Sequence, residues 1–514
     1  MEYARINRSQ LAYLSFLSIS LLSVVIFRTI YSTPIEIDGD SVGKWFSAYS
    51  LAGKVGWEEM GESHHELRWA IILPQIIIST ILPERYESYY VLPIVLYSIF
   101  TTLCMATVYE GEKQRKLGMA FVLGVLLCID PISHVMASQL KTVAFGLFYF
   151  VLGVFALSHY IKVNDHRWLV LSAILFFFAY GSHITYLIFS IAPVLVLVVN
   201  LGRYRDALIF IGAFALLFAA EMLLTGIVLD GSPSGGRVTH LLAGVTHQTV
   251  TTARGSGSGL NYWDLISRWK LLPKFDLLIF FAYVMSSLLL FKNQLRRSVP
   301  VGIWMFFYAS GAYAFVIAFP IVEVNPLKLA FALHNRYLAP VFPLAMVFLV
   351  WLFGYGFQTL RKLSNILPVV IGILIAIGFW SASNKYRCIE EIAVGTYPDK
   401  LERSYCKLFR YSQNQNIYPS PDRFLFGANR YYEQFRRDYL DGKVSLFGKT
   451  RVGVLGQLIT IYKKDATLIK TPNHWYSVDG TDKDQCVMEL GQTSIPEQNY
   501  RSCRGRMMGR DVFE

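Results

Sequence analysis

The sequence predicts an α-helical polytopic membrane protein with about eleven transmembrane helices and a small α/β C-terminal domain on the non-cytoplasmic side. Three observations predict it. Only 16% of the 514 residues are charged, against about a quarter in soluble domains. Mean hydropathy is +0.40, so the apolar excess must face something other than water. The apolar residues also fall into separate runs approaching the ~20 residues that cross a bilayer.

The first run, 11–31, follows Arg5 and Arg8. It is too long for a signal-peptide core, and no small-residue cleavage site follows, so it reads as a retained anchor. Further spans are expected at 89–108, 117–129, 143–161, 168–182, 185–200, 207–229, 275–291, 300–319, 339–356 and 366–383. The segment 69–82 is apolar but too short to span comfortably, and reads as a re-entrant or interfacial element. Residues 1–384 therefore form a transmembrane module and 385–514 a polar domain. Strand-like runs in that domain, such as 451–462, suggest a mixed α/β fold.

Loop charge orients the module. Fourteen Lys and Arg residues fall in six short segments on one side: Arg5/Arg8, Lys113/Arg115/Lys116, Lys162/Arg167, Arg203/Arg205, Lys292/Arg296/Arg297 and Arg361/Lys362. That side is cytoplasmic by the positive-inside rule. The first outer loop (33–88), the segments 130–142 and 320–338, a Gly/Ser-rich loop at 230–274 and the tail lie opposite. The 230–274 loop contains 231-GSPSGG-236 and 255-GSGSG-259 and could act as a lid. Cys388, Cys406, Cys486 and Cys503 all fall in the tail, which fits one or two disulfides in an oxidising compartment. The only N-x-S/T triplet, Asn7-Arg8-Ser9, is on the cytoplasmic side, which favours a bacterial envelope. The formal charge of +12 is explained by these loops and by anionic lipid. No P-loop, zinc-finger or dinucleotide motif points to nucleic acid or nucleotide.

Residues with chemical potential gather on the outer side. Asp38 and Asp40 follow the first span, in 34-PIEIDGDSVGKW-45. A partly desolvated carboxylate there has its pKa raised toward the range of a general base; the alternative is a solvated residue capping the next helix. The stretch 62-ESHHELRWAIILP-74 brings His64, His65, Glu66 and Arg68. The first three have metal-ligand chemistry at a nonspecific spacing. Arg68 can hold a phosphate in bidentate fashion or snorkel as an anchor. Lys141, His183, His334, Arg336 and Tyr337 sit on the same side, where charges beside spans are functional candidates. Glu221 lies inside a span; the plain reading is a carboxylate facing the bundle.

This arrangement resembles the GT-C superfamily of polyprenol-phosphate-sugar glycosyltransferases, which includes protein O-mannosyltransferases and the aminoarabinose transferase of lipid A. Phage-type serotype-converting glucosyltransferases have a similar layout. Three features carry the resemblance. Many members place an acidic residue after the first span, an aromatic four residues later and a small residue eight later; here Asp40, Lys44 and Ala48 hold those places. The stretch 64-HHELRWAIILP-74 resembles the segment closing the first outer loop. Arg336, Tyr337, Pro340 and Pro343 match an Arg-Tyr-x-x-Pro-x-x-Pro run before a late span. Lys44 departs from the aromatic, and Asp38 precedes Asp40, so which aspartate is the base stays open.

The resemblance implies an inverting displacement. Asp40 or Asp38 takes the proton of an acceptor hydroxyl on an envelope glycan, lipid or protein. Arg336, Arg68, Lys141 and His334 hold the donor phosphate, with His64, His65, Glu66, Tyr337 and His183 lining the pocket. The donor is a polyprenyl-phosphate sugar; no further cofactor is implied, and a divalent metal requirement stays open. The alternatives are an O-antigen polymerase or ligase and a lipid or glycan transporter. The former usually centre on a large late outer loop, and a transporter predicts pseudo-symmetric halves that the sequence does not show.

Overall fold

Away from water, an apolar run satisfies its backbone N–H and C=O groups by coiling on itself. The computed structural model describes residues 8–30, 68–82, 87–111, 116–130, 139–230, 274–291, 298–318, 321–324, 327–329, 338–359, 468–470 and 475–477, with single positions 44, 48, 133, 136 and 137. These residues are overwhelmingly helical. In chain order come α1 (Arg8–Ile30), α2 (Trp69–Ile81), α3 (Glu87–Gly111), α4 (Lys116–Ile129), α5 (Thr142–Val163) and α6 (His166–Ser182). Helix α7 (Ile184–Asn200) follows. Then come α8 (Tyr204–Asp230), α9 (Lys274–Ser287), α10 (Val301–Ala318) and α11 (Val341–Thr359).

Four stretches, Leu11–Thr29, Tyr90–Glu110, Thr142–Val163 and Tyr204–Leu224, are long and apolar enough to cross a membrane. Their outer flanks agree with that. Leu22 of α1 is 61% exposed, and Leu208 and Leu216 of α8 are 69% and 73% exposed. Rows of large bare aliphatics suit lipid and not water.

Contacts at the two ends set the directions of the helices. At one end, here the lower, Tyr13 donates to Glu110 Oε1 (2.9 Å) and Lys162 to Glu110 Oε2 (3.1 Å), joining the start of α1 to the ends of α3 and α5. At the other, the upper end, Arg28 Nη2 donates to the Leu127 carbonyl (3.1 Å), joining the end of α1 to that of α4. The helices α1, α3, α4 and α5 thus alternate in direction, with the short α2 lying between α1 and α3 in the chain. The α5–α6 connection shows how tightly. Asn164 adopts a left-handed conformation (φ 59°), which Asn tolerates well. Asp165 then caps α6 by accepting the Arg167 N–H (3.0 Å).

Helix α5 is the central element. Its Phe150 meets Phe176 of α6, Phe189 of α7 and Phe306 of α10 at 5.1–5.6 Å between ring centroids. Helix α7 is irregular: a 3-10 turn Ile184–Ser190, an α segment Ile191–Leu195 and a π turn Val196–Asn200. Pro193, lacking an N–H, breaks the i→i−4 ladder there.

Helices occupy ten of the eleven expected span positions, and α2 is the short apolar element expected at 69–82, a helix of 13 residues. The expected span 366–383, the lid, the run 451–462 and the four tail cysteines lie outside the described residues. Two antiparallel pairs complete the description: β1 (Ile321–Val324) with β2 (Leu327–Leu329), and β3 (Leu468–Lys470) with β4 (Trp475–Ser477). The first was read from sequence only as a loop. Cys104 and Cys128 are buried and free within the bundle.

Candidate functional site

Burial sorts the charged side chains by end. Among the described residues the buried ones are Arg28, Lys44, Arg68, Asp130, Glu221 and Asp276, all in the upper half. The lower-end pair Glu110–Lys162 has side chains 43% and 67% exposed.

The upper cluster centres on the start of α5. Lys141 is the N-cap, extended at φ −103° and ψ 162°, and its side chain makes no capping hydrogen bond. The first amides of a helix lack intrahelical acceptors and carry its positive dipole end. Just before them, Lys44 donates to the Leu140 carbonyl (3.4 Å). Lys44 and Ala48 are both helical and buried, so this part of the first loop packs into the bundle.

Tyr186 closes one side of the cluster. Its hydroxyl is 3.3 Å from that of Thr142, and Arg68 lies within electrostatic reach of it. The ring stacks on Phe189 (5.0 Å, 4° between planes) and lies flat against Gly146, where any β-carbon would collide with it. The sequence therefore positions this hydroxyl by omitting a side chain on α5.

Arg68 starts α2: its carbonyl accepts the N–H groups of Ile71 (2.9 Å) and Ile72 (3.1 Å). Two neighbouring bonds fasten α2 to the bundle. Tyr149 of α5 donates to the Ala70 carbonyl (3.1 Å). Trp69 Nε1 donates to Glu221 Oε1 (3.1 Å), while Tyr180 donates to Oε2 (3.3 Å). The Trp69 ring rests on Gly181, a second position with no room for a side chain. Glu221 is thus a carboxylate facing the bundle and clamping α2, α6 and α8.

His183 sits between α6 and α7. The Thr185 N–H donates to its Nδ1 (3.3 Å). The Thr185 hydroxyl lies 2.7 Å from Nδ1 and 3.0 Å from the Tyr313 hydroxyl of α10, within hydrogen-bond distance of both. One turn earlier on α10, Ser310 donates to the Val341 carbonyl at the start of α11 (3.1 Å). The same helix end therefore supports both His183 and the segment following Arg336.

A second buried group lies beside this one. Arg28 stands 4.5 Å over the Tyr97 ring, and its Nε and Nη1 have no hydrogen-bond partner among the described residues. Asp130 Oδ2 accepts the Ser133 N–H (2.7 Å). Asp130 Oδ1 has no hydrogen-bond partner among the described residues, and the Tyr97 and Ser133 hydroxyls lie close to each other. Such a set has the polarity to hold ordered water or an anion's oxygens.

Of the expected site residues, the structure brings together Arg68, Lys141 and His183. Asp38, Asp40, His64, His65, Glu66, His334, Arg336 and Tyr337 lie outside the described residues. Sequence reading passed over Arg28 and Asp130, and treated Lys44 only as a departure from a motif. Arg28 carried a signal: it is a charge within the apolar run 11–31, and such charges are functional candidates. Among the described residues no three His, Cys, Asp or Glu side chains form a metal-binding group. What the cluster offers is a desolvated cationic surface at a helix N-terminus, suited to a phosphate. Comparison with protein-family models finds no match, and comparison with curated proteins finds none.

Proposed function

We propose that the chain is an inverting membrane glycosyltransferase, moving a sugar from a polyprenyl-phosphate donor to an acceptor hydroxyl at the non-cytoplasmic face. The observation that carries this reading is the gathering of all six buried charged residues of the described set into one half of the bundle. Lys162, Arg167, Arg203 and Arg205 belong to the opposite end, which is then the cytoplasmic one.

In this reading the donor's tail stays in lipid and its phosphate reaches the start of α5. Arg68, Lys141 and Lys44 meet the charge that grows on the phosphate as the glycosidic bond breaks. Cations placed in advance favour the transition state over the ground state. Arg336 and His334 join them, while Asp40, or Asp38, takes the proton of the attacking hydroxyl.

The test is Asp40→Asn in membranes supplied with polyprenyl-phosphate hexoses and pentoses. Transfer should fall by about 10²–10⁴-fold, the usual worth of a general base, with the protein still inserted. Full activity in Asp40→Asn and none in Asp38→Asn moves the role to Asp38. Full activity in both variants removes the mechanism.

A further inference from the structure

A recess with polar groups at its rim lies at the opposite end of the bundle, independent of the transferase reading. It encloses about 380 Å³ between α3, α5 and α10, within the roughly 300–1,000 Å³ range of small-ligand sites. Its floor carries the hydroxyls of Thr107 and Ser158, its walls include Phe155 and Val301, and Glu110 and Lys162 stand at its rim. Gly302 shapes the floor. A β-carbon there would come within 3.2 Å of Thr107 Cγ2 and 3.7 Å of Ser158 Oγ.

Counting hydrogen-bond capacity narrows the occupant. Glu110 accepts from Tyr13 through Oε1 and from Lys162 through Oε2. A carboxylate has about four acceptor sites, so about two remain. The Lys162 ammonium has three donors and gives one to Glu110, leaving two. Among the described residues, the rim thus offers an unfilled acceptor and an unfilled donor about 3 Å apart. A purely anionic ligand would meet the Glu110 carboxylate. A quaternary ammonium has no N–H to give it.

We propose that this recess binds a phospholipid whose head group carries a primary ammonium beside its phosphate. The ammonium donates to Glu110, the phosphate accepts from Lys162, and the glycerol end lies over Thr107 and Ser158. The acyl chains leave along Phe155 and Val301. The site is at the end of α3 and α5, where both stretches long enough to cross a membrane terminate, which is head-group level.

The experiment is native mass spectrometry of the full chain after exchange with phosphatidylethanolamine, phosphatidylglycerol or phosphatidylcholine. The wild type should retain the ethanolamine lipid in preference to the other two. Glu110→Gln, which keeps the side chain's shape and an acceptor for Lys162, should lower that preference about tenfold, as expected on losing one charge-assisted bond. Gly302→Val should abolish retention by filling the floor. Equal retention of the glycerol or choline lipid by the wild type overturns the proposal. So does an unchanged preference in Glu110→Gln, whatever Gly302→Val does to folding.

Discussion

Replacing Gly146 by Ala tests how the upper cluster is assembled. The new β-carbon would lie inside contact distance of one edge of the Tyr186 ring and 3.1 Å from its Cζ. The ring cannot easily yield. It is 2% exposed, stacked on Phe189 at 5.0 Å and backed by Tyr313 at 5.8 Å. Overpacking of this kind costs about 1–3 kcal/mol, and loss of the Thr142 contact about 0.5–1.5 more. Alanine returns up to about 1 kcal/mol through helix propensity. The net is roughly 0.5–4.5 kcal/mol, and its midpoint of about 2.5 kcal/mol corresponds to a fall in Tm of about 5–10 °C at 2–4 °C per kcal/mol for a bundle of some 200 residues. Thermal unfolding in detergent, followed by fluorescence, reads this directly. Transfer from a lipid donor should fall by more than the lost stability explains, because a displaced Tyr186 no longer flanks the start of α5. Gly146→Ala with Tyr186→Leu should recover the Tm, since neighbours that clash are coupled. An unchanged Tm in Gly146→Ala alone would refute the placement of Tyr186.

Arg28→Met removes one hydrogen bond and one cation–π contact but also two buried N–H groups without partners. Exchanging a buried charge for an apolar side chain of similar volume is often neutral, so a Tm within a few degrees of wild type is expected, with weakened use of the lipid donor. A large loss of stability with intact donor use would make Arg28 structural. Glu221→Leu strands the Trp69 and Tyr180 donors, at about 1–3 kcal/mol each; Glu221→Gln keeps one acceptor and should cost less by the same Tm measurement. Cys104 and Cys128, both buried, should resist a water-soluble maleimide until the bundle unfolds; rapid labelling of the native protein would contradict the packing of α3 and α4.

The helices were legible because each is an apolar run closed by polar or turn-forming residues. The expected 143–161 became Thr142–Val163, bounded by Lys141 and by Asn164 with Asp165. The mixed helix types of α7 were less legible: hydropathy reads 185–200 as one run, and only Pro193 hints at the break. The β1–β2 pair surrounds Asn325-Pro326, a turn signal flanked by strands too short to show alternation. Of the site, Arg68, Lys141 and His183 were readable as polar residues beside spans. Glu221 drew notice, but its partners Trp69 and Tyr180 are 152 and 41 residues away, and no local pattern encodes such pairing. The Arg28–Tyr97 contact belongs to the same class, visible only when α1, α3 and α4 are packed together.

The upper cluster is hard to explain by stability alone. Moving a charge out of water costs several kcal/mol even after relaxation, and three cations and three carboxylates are buried there. Two of the carboxylates take hydrogen bonds from neutral groups: Glu221 from Trp69 and Tyr180, and Asp130 from the Ser133 amide. Those bonds stabilise two of the carboxylates with dipoles, so these carboxylates do not need the cations as partners. At about 4 Å two unit charges interact by ~1 kcal/mol in water but ~4 kcal/mol at an effective dielectric of 20. In the proposed reaction, charge growing on a leaving phosphate would therefore be met more strongly here than at an exposed lysine such as Lys162, and the dipole of α5 would add to it. Desolvation is what gives Lys44 and Arg68 that strength, and it is supplied by the same packing that fastens α2 to α5 and α8.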